Sequence, residues 1–69
     1  MSLDEIRQEC LKMKEGDTKE FESDREIMRW EIAVLKAQVN IDRNDKFAVF
    51  LLRSWVKVKA YCYCPHEAR

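Results

Sequence analysis

Asp42–Cys64, DRNDKFAVFLLRSWVKVKAYCYC, is the most apolar run in the chain, and its reading decides the fold. Laid on a helix, it places Phe47, Ala48, Leu51, Trp55, Val58 and Cys62 on one stripe that steps by threes and fours. Val49, Leu52, Val56 and Tyr63 form a second strip about 120° round from the first, and Lys46, Arg53 and Lys57 gather on another side. One partner helix cannot cover both apolar strips. A strand reading competes over Ser54–Cys64, because KVKAYCYC alternates and puts Val56, Val58, Ala60, Cys62 and Cys64 on one face. A strand needs a partner, however, and no second alternating run stands out. The helix is therefore the expectation, running from about 43 to 63 and stopped by Pro65.

Upstream, the same logic yields two more helices. Ser2 followed by Glu5 is a capping box, in which each side chain satisfies the other residue's free backbone N–H. Leu3, Ile6, Cys10 and Met13 then make a short apolar stripe, and Gly16 offers a stop, so the first helix is expected over about 2–15. Phe21, Arg25, Met28, Ile32, Leu35 and Val39 keep a heptad-like spacing, which predicts a second helix over about 18–40 with Asn40 closing it. Ile27, Trp30, Val34, Ala37 and Ile41 form a second stripe on that helix. The connection to the third helix is short, so the two long helices are expected as antiparallel neighbours. The inferred fold class is all-α: one domain over residues 1–64, with a short N-terminal helix, a long antiparallel helical hairpin and a tail at 65–69.

With 69 residues, the chain has little interior to bury, so oligomerisation enters as a serious option. A composition 46% hydrophobic and 38% charged, with one Gly and one Pro, is too apolar for a disordered chain and too poor in turn formers for a sandwich or barrel. No stretch has the length and apolarity of a membrane span or a secretory leader, which predicts a reducing, intracellular location and no membrane partner. The 13 bases and 13 acids balance, but unevenly along the chain: Met1–Asp24 runs near −4 and Arg25–Arg69 near +4. An acidic segment folding against a basic one, or a basic surface meeting a polyanion, would each produce this asymmetry.

Few residues point to chemistry. Cys62, Cys64 and His66 form C-x-C-P-H, and Cys10 could complete a Cys3His zinc set, but the C-x-C spacing is narrower than structural zinc sites use. Buried or idle thiols are the simpler reading. Cys–His catalysis would need a pocket and an oxyanion donor that nothing here supplies, and phosphate loops are excluded because Gly16 is the only glycine. No enzyme, metal or cofactor is expected.

The doubled stripes carry the functional expectation. Met28, Ile32, Leu35 and Val39 are expected to face Leu51, Trp55 and Val58 inside the hairpin, leaving Ile27, Trp30, Val34, Val49, Leu52 and Val56 for an interface. That describes a non-enzymatic assembly or adaptor module in a helical bundle, either a homodimer or a complex with another helical protein. The alternative is a dimeric binder of duplex nucleic-acid backbone through the basic stripes Arg25, Arg29, Lys36, Lys46, Arg53 and Lys57. A zinc-stapled small domain is the lesser alternative.

Overall fold

The computed structural model describes residues 1–44 and 46–65, and it overturns the all-α expectation. The elements are α1 (Leu3–Leu11), β1 (Thr18–Glu22), α2 (Arg29–Arg43), β2 (Ala48–Ser54) and β3 (Lys57–Tyr63). The strands form one antiparallel sheet in the order β1-β3-β2. The expected third helix is a hairpin of β2 and β3, and among the described residues neither the expected helical hairpin nor a coiled-coil seam is formed.

β3 takes the alternation that its sequence carries, with Val58, Ala60 and Cys62 turned inward. Its partners are segments whose strand character is faint in sequence. β1, TKEFE, contributes one large apolar residue, Phe21, and β2, AVFLLRS, is apolar on both faces. Burial on one side resolves β2, since Val49 and Leu51 enter the core while Phe50 and Leu52 stay exposed. The helices cover that inner face: Ile6 and Cys10 of α1, Leu35 and Val39 of α2, and Met13 and Ile27 of the connections close one core with Phe21, Val49, Leu51, Val58, Ala60 and Cys62. Among the described residues nothing covers the outer face of the sheet, where Phe50, Leu52 and Tyr63 are exposed.

α1 begins with the capping box read from sequence, Ser2 accepting from the Glu5 N–H at 3.2 Å and Glu5 accepting from the Ser2 N–H at 2.8 Å. Gly16, at φ 89°, turns the chain into β1 and donates its N–H to the Cys62 carbonyl. The second helix is shorter at its start and longer at its end than the heptad spacing implies. Phe21 lies in β1, and Arg25 lies in the connection to α2. The Ser23 and Ile27 N–H groups of that connection donate to the Val56 and Trp55 carbonyls of the β2–β3 turn. α2 then runs through Asn40 and ends at Asn44, which takes the left-handed conformation at φ 53°.

Trp55 is the largest single correction to the expected core. It occupies the first position of the turn between Ser54 and Lys57, at φ 58°, and is 69% exposed. Met28, also assigned to the interior by the hairpin reading, is exposed as well.

Candidate functional site

α2 shows two faces of opposite role. Ile32, Leu35 and Val39 look into the core, whereas Trp30, Val34, Ala37 and Ile41 lie roughly 180° away at about 100° per residue. Trp30 is 67% exposed, Val34 46% and Ile41 76%. The pole of the helix farthest from its own core is therefore apolar over about 16 Å, at 1.5 Å rise per residue. A solvated helix ordinarily places charge there. The small Ala33 and Ala37 flank the large side chains, and Leu3, Asp4 and Arg7 of α1 wall a shallow groove beside Trp30, Val34 and Gln38.

The start of this stripe is fixed by charge. Arg25 grips the Glu31 carboxylate with two hydrogen bonds, at 2.9 and 2.6 Å, while the Met28 N–H donates to the same group at 3.0 Å. The Arg25 guanidinium first, and the Met28 N–H second, hold the Glu31 carboxyl at about 2, below its ordinary 4.5. Arg7 similarly ties α1 to the far end of α2 through Asp42, at 2.7 Å.

The six residues expected at an interface are not brought together. Trp30 and Val34 share the outer face of α2, and Leu52 lies on the open face of the sheet, on the other side of the molecule. Ile27 and Val49 are consumed by the chain's own core, and Val56 is half-buried in the hairpin turn. Ala37 and Ile41 complete the α2 stripe in their place, as the helical spacing already indicated.

The expected cationic set also divides. Arg25 is engaged with Glu31, and Arg29 is exposed at the first turn of α2. The ammonium of Lys36 sits 5.0 Å from the Phe50 ring centroid, and that of Lys46 sits 5.6 Å from Phe47. Arg53 follows the inward register of Val49 and Leu51 at the end of β2, while Lys57 belongs to the open face. No continuous basic stripe forms from them.

Of the metal-ligand candidates, Cys10 and Cys62 are buried, Cys64 is exposed past the end of β3, and His66 lies outside the described residues. Among the described residues no group of three or more His, Cys, Asp or Glu side chains gathers. Burial pushes the Cys10 thiol up to about 11, and the Cys62 Sγ lies 3.8 Å from the Met13 carbonyl oxygen. Thiolate is the reactive form, so the thiols should separate by accessibility. A thiol-specific chromogenic reagent is expected to titrate one group, Cys64, in the native protein and three after denaturation; rapid labelling of Cys10 or Cys62 under native conditions would contradict the packing.

Comparison with known proteins finds no matching family model, no matching curated protein and no matching solved structure. The surfaces themselves carry the functional argument. Among the described residues, no helix is long and apolar enough to cross a membrane.

Proposed function

We propose that this chain is a non-enzymatic assembly module whose docking element is the outer face of α2, and that its first partner is α2 of a second copy. One observation carries the reading: the helix pole opposite the core presents Trp30, Val34, Ala37 and Ile41 to water. Covering a large apolar side chain is worth about 1.5 to 3 kcal/mol, a sizeable fraction of what a domain this small holds in reserve. Aromatic anchors dominate protein interfaces, and Trp30 sits in the first turn of the stripe.

Features of the chain favour a like partner. A row of large residues broken by Ala33 and Ala37 lets another helix approach closely and interdigitate. The formal charge of zero removes net repulsion between copies. Arg7 and Glu31 beside the groove supply both signs of charge at the rim.

Sedimentation equilibrium across a concentration series tests the proposal. The wild-type chain is expected to show a concentration-dependent monomer–dimer equilibrium, and Trp30→Glu combined with Ile41→Glu is expected to leave a monomer with unchanged circular dichroism. Both side chains are exposed in the single chain, so the fold should tolerate these changes within about 0.5 kcal/mol each. A wild-type chain that stays monomeric at millimolar concentration would refute self-association through α2.

A further inference from the structure

The open face of the sheet is a second surface, on the opposite side of the two-layer fold from the outer face of α2, and it does not depend on the assembly reading. Strand register determines what it displays. Phe50 of β2 lies directly opposite Tyr61 of β3, and Tyr63 follows two residues along the same side of β3, opposite Ala48. Leu52 lies opposite Lys59, and Ser54 opposite Lys57. Three aromatic rings on two neighbouring strands thus adjoin two lysines, with Phe50 38% and Tyr63 44% exposed.

Ammonium groups sit over two of the rings. The Lys59 ammonium is 5.8 Å from the Tyr61 centroid, and Lys36 reaches from α2 to within 5.0 Å of the Phe50 centroid. None of the described ion pairs involves Lys36, Lys57 or Lys59. Among the described residues the acids on this face are confined to β1, where Glu20 and Glu22 stand opposite Lys59 and Lys57. The charge asymmetry between the two halves of the sequence thereby becomes spatial: the β1 margin is acidic, and the β2–β3 half is aromatic and cationic.

We propose that the β2–β3 half of the open face binds single-stranded nucleic acid, with Phe50, Tyr61 and Tyr63 as stacking surfaces and Lys36, Lys57 and Lys59 as phosphate contacts. The ligand class follows from the pairing of groups. A polyanion alone would be served by lysines without rings, and an apolar peptide would be served by rings without lysines. Rings adjoining ammonium groups that none of the described ion pairs engages match a strand that offers flat bases and phosphates together. Bases in a duplex are stacked on one another and cannot lie on a sheet, which selects the single strand. Glu20 and Glu22 repel phosphate and bound the track on the β1 side.

Fluorescence anisotropy with labelled oligo(dT) and oligo(U) of about 12 nucleotides, against a duplex of similar length, tests this at roughly 50 mM salt. Both single strands are expected to bind in the micromolar range, more tightly than the duplex, with affinity falling as salt rises. Phe50→Ala with Tyr63→Ala is expected to weaken binding by about 25-fold or more, at about 5-fold or more for each ring that loses its stacked base. Lys57→Gln with Lys59→Gln is expected to lower the slope of log affinity against log salt by about 1.4, at about 0.7 for each phosphate contact to a single strand. All four residues are exposed, and circular dichroism verifies that each variant folds. Absence of single-strand binding up to about 100 μM, equal binding of the duplex, or indifference to the aromatic substitutions would each overturn the assignment. A Phe50→Ala/Tyr63→Ala variant that changes only the solution mass would show instead that this face contacts another copy.

Discussion

Replacing Arg43 with alanine is expected to remove most of the stability of this domain. The Lys12 and Met13 N–H groups reach the Glu9 and Cys10 carbonyls at the end of α1, but no basic residue in the last turn answers the negative end of the helix. Arg43, at the end of α2, supplies the answer from 33 and 30 residues away: its guanidinium donates to the Cys10 carbonyl oxygen at 2.8 Å and to that of Met13 at 2.8 Å. These partly buried, charge-assisted bonds clamp the C-terminal ends of both helices over the core. Hydrogen bonds to charged groups contribute about 1.5 to 3 kcal/mol, and the alanine variant would leave the Met13 acceptor with only the weak Cys62 thiol donor. A core of this size rarely supplies more than about 3 to 5 kcal/mol in total. Urea denaturation should therefore give Arg43→Ala a midpoint less than half that of the wild type. Arg43→Lys should recover only part of the loss, because an ammonium cannot reproduce the planar two-pronged geometry. A cost below about 0.5 kcal/mol, the level of an ordinary surface change, would show that the clamp is incidental.

The clamp illustrates which features a single sequence discloses. Local signals were legible: the Ser2–Glu5 capping box is present, and the spacing of Trp30, Val34, Ala37 and Ile41 does define one face of α2. Spacing misleads where apolar residues are sparse. Phe21, Arg25 and Met28 extend the threes-and-fours of α2 backwards, yet they fall in a strand, a connection and the residue before the helix. With so few apolar residues, a period-two strand and a loop imitate a heptad.

The hairpin was illegible for a different reason. Two-residue turns are signalled by Gly, Asn or Asp, because such turns need positive φ, and Trp55-Val56 has none of these. Trp55 nevertheless adopts φ 58°, a conformation that costs a bulky L-residue roughly 1 to 2 kcal/mol. Tertiary contacts offset that cost: the turn carbonyls of Trp55 and Val56 receive the Ile27 and Ser23 N–H groups, and Ile27 is fully buried below them. Long-range bonding thus imposes a turn that local preference opposes. The aromatic platform inherits the same opacity, since Phe50 meets Tyr61 only once the register around Trp55 is set.

The most informative test of how the edge strand is covered is Asn40→Asp in α2, because its cost should shrink as pH falls. β2 is an edge strand, and edge strands expose unpaired backbone groups that invite aggregation. Asn40 of α2 covers one such site as a strand would: its Oδ1 accepts from the Val49 N–H at 2.8 Å, and its Nδ2 donates to the Val49 carbonyl at 3.0 Å and to the Lys36 carbonyl at 2.8 Å. Asn40→Ala removes both halves of this pairing, each worth about 1 to 3 kcal/mol when a partner is left unsatisfied, and should both destabilise the domain and promote aggregation. Asn40→Asp retains the acceptor for Val49 N–H but aims a carboxylate at two carbonyl oxygens. Those oxygens favour the protonated acid, so its folded pKa is raised above the unfolded value, and protonation stabilises the folded state. The variant should therefore be weakest near neutral pH and gain on the wild type as pH falls through the raised carboxyl pKa, where the acid O–H can donate to the Val49 carbonyl. Thermal melts of both proteins from pH 7 to pH 4 would measure the difference. A gap that stays constant or widens toward low pH would mean that Asn40 acts through its shape and not through the paired hydrogen bonds.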